Sequence, residues 1–339
     1  MKVVLLEDIY DEFNGGIEDP LAIQRFLSYA WNNWRLAPRY AALVGDGSYD
    51  HRDLLGLGDS LVPAWMTATP NGLFAADNLY GRFANEQKIA IGRIPVHDNA
   101  GMYSYVDKLS AWQAGLSTSG LVQLMADNDD AAGAFTDDSN GLKSLIPGGK
   151  LAPGDIYLKD IFADGGDINT ARTALLSALN AGRDNVNYLG HGGMDRFATE
   201  GLLTTADVSS LTNTRTPFVN ALSCVINRFA VAGFDSLGEE LVLRNGGGAI
   251  AVWSPTGLSQ NPSAVLLNRA LYESIYTDGK KVLGDAIVAA LNKYAARDGV
   301  EWMPKVYTLL GDPALPIQPG ARYAHKRNAR PVRLRKSGE

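Results

Sequence analysis

Two strand-like runs in this chain end on residues able to do nucleophilic chemistry. VNYLGHGG, Val186–Gly193, passes through a glycine into His191 and two more glycines, and PFVNALSC, Pro217–Cys224, stops on the only cysteine present. A thiol attacks as its thiolate, and a nearby histidine can promote that form or give a proton to the leaving group. In open parallel sheets, ligands sit beyond the carboxyl ends of the strands. If the strands 185–189 and 217–223 are neighbours, His191 and Cys224 face one cleft. The glycines beside the histidine would let a substrate backbone approach, and their N–H groups could stabilise a developing oxyanion. Taken singly, each residue has a plainer reading. A histidine beside glycine is often only a loop residue, and a lone cysteine is often a small buried hydrophobe. The pair, at equivalent strand ends, is what suggests catalysis.

The elements needed to hold this pair are legible in the hydrophobic pattern. Apolar strands alternate with amphipathic helices, which predicts an α/β fold with a largely parallel sheet. Val3–Leu6 reads as a first strand rather than the core of a signal peptide. Asp19 and Pro20 open a helix whose apolar positions, from Ile23 to Trp34, recur three or four apart. Strands are expected at Tyr40–Val44, Ile89–Val96, Leu121–Ala126, Asp155–Ile161, Asn185–Leu189, Pro217–Ser223, Ala249–Trp253 and Val306–Leu310. Helices are expected near Gly101–Ala114, Ile168–Ala181, Ser236–Arg244, Pro262–Thr277 and Leu283–Arg297. The small-residue stretch GLSTSG, Gly115–Gly120, suggests a boundary between subdomains 1–115 and 116–320.

Composition narrows the function classes. With 339 residues, 46% of them hydrophobic, the chain can bury a large core. No apolar run approaches the ~20 residues that span a bilayer. One cysteine excludes an internal disulfide and any multi-cysteine zinc site. Residues 321–339 carry seven Lys/Arg against one Glu, in a chain whose net charge is −6. That basic tail reads as a disordered end or a linker to a following domain, and no nucleic-acid partner is expected. GDGSYD lacks the third glycine of a dinucleotide fingerprint, and the chain has no G-x-S-x-G elbow. His51, His97 and His325 have no neighbour in sequence that would make them ligands.

NYLGHGG (187–193), ALSCVINRF (221–229), GGAIAVWSPTG (247–257) and LLGDPAL (309–315) resemble the gingipain family of cysteine peptidases, which belongs to the clan of caspases and legumain. DIYDEFNGGIEDPLAIQRFL (8–27), LVGDGSYD (43–50), ADNLYG (76–81) and IAIGRIPV (89–96) resemble the same family, so the likeness spans nearly all of residues 5–316. It implies a caspase-like fold of two subdomains and a cysteine endopeptidase acting on protein or peptide substrates. Cys224 would be the nucleophile and His191 the general acid, with the N–H groups of Gly192 and Cys224 as oxyanion hole. The family's acidic residue that orients the histidine, usually Glu, has no Glu counterpart here; Asp127 and Asp129 are the nearest candidates. In arginine-specific members a carboxylate farther along that loop pairs with the P1 side chain, which points to Asp137 and Asp138 and to cleavage after Arg or Lys. Trp253 and Thr256, in WSPTG, would line the pocket. No cofactor is required, although the resemblance brings structural calcium with it, and Asp77 and Asp129 could supply oxygen ligands. It also implies a secreted or cell-surface protein, with further domains in a longer precursor, while the lack of a signal peptide in this sequence leaves an intracellular place open. Two other classes stay open: a Cys–His acyl hydrolase or transferase with a non-peptide substrate, and a catalytically silent binding or assembly module.

Overall fold

The computed structural model describes residues 1–56, 60–115, 120–297 and 299–317. Eight strands form its central sheet: β1 Tyr40–Val44, β2 Ala90–Ile94, β3 Val122–Ala126, β4 Ile156–Tyr157, β5 Asn185–Leu189, β6 Phe218–Leu222, β7 Ala251–Pro255 and β8 Tyr307–Leu310. Their spatial order is β1-β2-β8-β7-β6-β5-β3-β4. Every pairing is parallel except β7 with β8. That one antiparallel contact splits the sheet into a block of three strands and a block of five running oppositely. The carboxyl ends of β3, β5, β6 and β7 therefore share one edge. Every residue of those four strands is buried, as expected of strands covered on both faces.

Local sequence explains most of the flanking helices. Asp19 accepts a 2.7 Å bond from the Leu21 N–H, Pro20 sits in the first turn, and Ile23, Phe26, Leu27 and Ala30 turn inward from the helix Pro20–Asn33. Asp167 and Thr170 form a reciprocal capping box at the start of Ile168–Asn180, and Ser236 and Glu239 do the same for Leu237–Leu243. The long helix Asn261–Tyr272 continues as a π-turn, Glu273–Thr277. Asn99–Gly115 and Leu283–Ala295 complete the helices foreseen from periodicity.

Two expected strands form differently. Val3–Leu6 is not a strand: residues 1–5 lie outside regular structure and a helix covers Leu6–Asn14. Leu6, Ile9, Tyr10 and Phe13 recur at helical spacing, with Glu7 and Asp8 in the first turn and Gly15 closing the last one at φ 61°. The expected strand Asp155–Ile161 reduces to β4, after which Leu158–Ala163 is helical. β4 lies at the sheet edge, pairing with Met125 and Ala126, and among the described residues no strand on its outer side extends the ladder.

A large core surrounds the central sheet, and a smaller one is built only from residues before position 92, among them Ile9, Ile23, Phe26, Leu43, Tyr80 and Ile89. The sheet itself runs without interruption from β2 to β8, joining strands on either side of position 115. The basic tail 321–339 and residues 116–119 of the GLSTSG stretch lie outside the described residues. No described helix is long and apolar enough to cross a membrane.

Candidate active site

β5 and β6 are neighbours, with Leu189 directly beside Leu222, so the segments that follow them leave the sheet together. Glycine is what lets those segments touch. A Cβ on Gly190 would stand 2.3 Å from the Asp127 Cβ, and one on Gly192 would stand 2.3 Å from the Ser223 Oγ and 3.1 Å from the Cys224 carbonyl oxygen. A side chain at Gly190 would collide with the Asp127 Cβ, and one at Gly192 would force the Ser223 and Ile226 side chains to move. This accounts physically for the glycines on both sides of His191.

The main chain and the ring of His191 are held by different carboxylates. Asp127, buried at the end of β3, accepts the His191 N–H at 3.0 Å on one oxygen and the Asn128 N–H at 2.9 Å on the other. Burial raises its pKa above the ordinary carboxylate value, and the two N–H donors oppose that rise. The imidazole Nε2 lies 2.9 Å from an Asp130 oxygen, and the ring meets Phe135 edge-on at 5.4 Å between centroids. The histidine holds the Asp130 carboxyl below its ordinary value, helped by the Ala132 N–H. The His191 side chain remains 41% exposed, open to an incoming group.

Cys224 is half-buried. Its sulfur accepts the Ser259 N–H at 3.4 Å and faces the Ser259 carbonyl oxygen at 3.7 Å. Burial pushes its thiol upward, and the Ser259 N–H works against that shift. Among the described residues no hydrogen bond joins this sulfur to the imidazole. The next residue, Val225, has φ 51°, a region unfavourable for a β-branched side chain, and its N–H is tied to the Gly257 carbonyl at 2.9 Å. The Cys224 N–H makes no hydrogen bond to any described residue.

The remaining sequence candidates separate. Asp138 accepts a 2.8 Å bond from the amide of Asn261, two residues beyond the cysteine's partner Ser259, while Asp137 is exposed. Trp253 and Thr256 do not line a pocket, contrary to expectation. Both are fully buried: Trp253 packs against Tyr307 in the core, and the Thr256 hydroxyl donates to the carbonyls of Ala75, at 2.5 Å, and Val306, at 3.2 Å. Strand β7 continues to Pro255, two residues past its expected end, and keeps Trp253 within the sheet. The two carboxylates nominated for calcium are also engaged elsewhere. Asp77 is buried against the Arg93 guanidinium at 2.7 Å, and Asp129 binds Lys159 at 2.7 Å and the Thr136 N–H at 2.9 Å. Each is thus bonded to a cation already, and among the described residues no three His, Cys, Asp or Glu side chains converge as a metal site. These residues do not fit the ion.

Sequence reasoning passed over Asp130, Phe135 and Ser259. Asp130 stood in plain view within DNDD, but strand-end counting favours the first acid of the run. Phe135 and Ser259 carry no sequence signal, being brought in by the turn of a loop and by the end of β7.

The sequence model of peptidase family C25 matches residues 1–318. Among solved structures, the arginine-specific cysteine proteinase gingipain R is 20% identical to this chain over 91% of it and 73% of the other chain, with a TM-score of 0.71. A complex of the RgpB pro- and mature domains from Porphyromonas gingivalis matches at 19% identity, over 91% and 75%, with a TM-score of 0.72. A third structure, described only as a protease, matches at 17% identity, over 87% and 69%, with a TM-score of 0.67. None of the curated proteins matches by sequence. At such identities the structural likeness concerns the fold, and it bears out the caspase-like α/β architecture.

Proposed function

The chain belongs to peptidase family C25, and from that premise we propose that it is a cysteine endopeptidase with Cys224 as nucleophile and His191 as general acid. The observation that carries this reading is the meeting of the two strand-end segments, where a Cβ on Gly192 would stand 2.3 Å from the Ser223 Oγ and 3.1 Å from the Cys224 carbonyl oxygen. In the proposed reaction the Cys224 thiolate attacks the scissile carbonyl carbon, forming a C–S bond while the carbonyl π pair moves onto oxygen. The N–H groups of Gly192 and Cys224 receive that oxyanion, and the unengaged Cys224 N–H suits the task. Collapse breaks the C–N bond, and the imidazolium gives its proton to the departing amine. Water then attacks the thioester, its proton passing to the imidazole, and the acid product leaves as the thiolate returns. Asp130 holds the ring and Asp127 the main chain throughout. The chemistry draws on these side chains and N–H groups without a cofactor.

Cleavage after Arg or Lys is part of the same proposal, with Asp138 as the P1 partner. The hydrogen bond it accepts from the Asn261 amide sets one carboxylate oxygen beside the segment that holds the cysteine, leaving the other for a guanidinium or ammonium. The test is a fluorogenic peptide library varied at P1, run under reducing conditions with and without calcium, beside Cys224→Ala and Asp138→Asn. Expected are turnover by the native chain, its loss in Cys224→Ala, and loss of the basic preference in Asp138→Asn. Cleavage that persists in Cys224→Ala overturns Cys224 as the nucleophile, and a native chain that cleaves nothing overturns the reading in favour of a non-peptide acyl substrate or a binding module.

A further inference from the structure

We propose that Tyr307, acting through Ser259, is a positioning residue that fixes the Cys224 sulfur; the proposal rests on the reading of Cys224 as nucleophile. Ser259 belongs to the short segment between β7 and the helix Asn261–Tyr272, and both main-chain groups that flank the sulfur are its own. Its side chain is anchored in the opposite direction. The Ser259 Oγ lies 2.9 Å from the Tyr307 hydroxyl and 3.7 Å from the Met303 sulfur. Tyr307 opens β8, beside Pro255 across the antiparallel pair, and is fully buried. A phenylalanine would fill the same volume. A buried hydroxyl is costly unless it is bonded, and the side-chain partner of this one is Ser259. The chain Tyr307–Ser259–Cys224 thus links the strand where the sheet reverses direction to the nucleophile.

The chemical consequence follows from the two Ser259 groups. Its N–H favours a thiolate and its carbonyl favours a thiol, so small movements of this residue decide how much charge the sulfur bears. Holding the Oγ on Tyr307 fixes the N–H as a donor to sulfur, independent of the imidazole. Burial keeps the Tyr307 phenol neutral well above the ordinary tyrosine range, so the anchor itself does not titrate in the working range. The other ionisable groups on the neighbouring loops are His191 with its Asp130 partner, after β5 and β3, and Asp138, which accepts the Asn261 amide. Removing the anchor leaves all three in place.

Because Cys224 is the only cysteine, iodoacetamide incorporation reads one sulfur. The experiment is the pH dependence of that alkylation, without substrate, for the native full-length chain, Tyr307→Phe, Ser259→Ala and the double variant, with kcat and KM measured in parallel. The expected result is a higher alkylation midpoint and a roughly 3- to 10-fold slower reaction at pH 7 in each single variant, the scale of one hydrogen bond. The double variant should be no slower than the singles, since both break the same link. A fall in kcat with little change in KM should accompany it. Unchanged alkylation profiles in variants that merely melt earlier would overturn the proposal, as would single effects that multiply in the double variant. A chain that cleaves no peptide still gives this result, so failure of the peptidase reading and failure of the positioning role are distinguishable.

Discussion

Two acids three residues apart serve His191 in different ways, and the difference is one of burial. Asp127 sits inside the protein with both oxygens bonded to main-chain N–H groups, whereas Asp130 is exposed and meets the ring. Replacing each should therefore give separate signatures. Asp130→Ala is expected to lower kcat by about 10- to 100-fold, less than the roughly 100- to 10,000-fold of a whole general acid–base contribution because the imidazole itself remains. Its melting temperature should stay close to native, because an exposed pair contributes little to stability. Asp127→Ala leaves two part-buried N–H donors without their carboxylate and should cost about 1–3 kcal/mol in denaturant unfolding. Matching stability losses in the two variants, with no difference in kcat, would contradict this division. That an acid after β3 serves the histidine could be expected from the run DNDD. Which acid meets the ring could not, because the answer depends on how the chain turns after Ala126.

Among the elements, β2 shows most clearly how a polar residue can be structural. Arg93 has no exposed surface, yet its guanidinium donates to Asp77 at 2.7 Å, to the carbonyls of Gly45, Val62 and Pro63, and packs over Phe229 at 4.5 Å. The acid of ADNLYG, which reads in sequence as an oxygen ligand, is the counter-ion of this arginine. Asp77→Ala is expected to destabilise the chain by about 3–5 kcal/mol, since it leaves an uncompensated charge inside the protein. Calcium should not restore that loss, and a melting temperature recovered by added calcium would refute the assignment. The elements that deviated from expectation did so for similar reasons of context. Val3–Leu6 has strand composition, but its last residue begins a helical stripe. Asp155–Ile161 has strand composition too, but only two of its residues find a partner at the edge.

At the scale of the whole molecule, a group of buried acids lies apart from the edge that carries His191 and Cys224, where the loop after β1 approaches the start of the helix Leu237–Leu243. Asp46 is buried with one oxygen unpartnered, and its pKa is raised to about 6, first by burial and then against the pull of Arg93. Glu239 is buried deeper, and its carboxyl is pushed well above the usual range by burial and by Asp46. Between the unfolded value of 3.8 and about 6, folded Asp46 keeps a proton that the unfolded chain has lost. Stability from this group is therefore complete below the lower value and lost as pH rises through the upper one. Two pKa units correspond to on the order of 3 kcal/mol. Asp46→Asn should accordingly gain stability over the native chain between pH 4 and 6.5 in urea unfolding, and parallel stability curves would refute the assignment. The sequence by itself determined the alternation of strands and helices, the strand ends that carry His191 and Cys224, and the family to which their glycines belong. Those features are local: they depend on periodicity, on capping residues and on positions that admit no side chain. Only the tertiary structure decided that β7 and β8 run antiparallel, that Asp130 meets the ring, that Trp253 and Thr256 face the core, and that Tyr307 reaches the cysteine through Ser259. Each of these joins residues far apart in the chain, and which of them meet is set by packing around one sheet rather than by any short stretch of sequence.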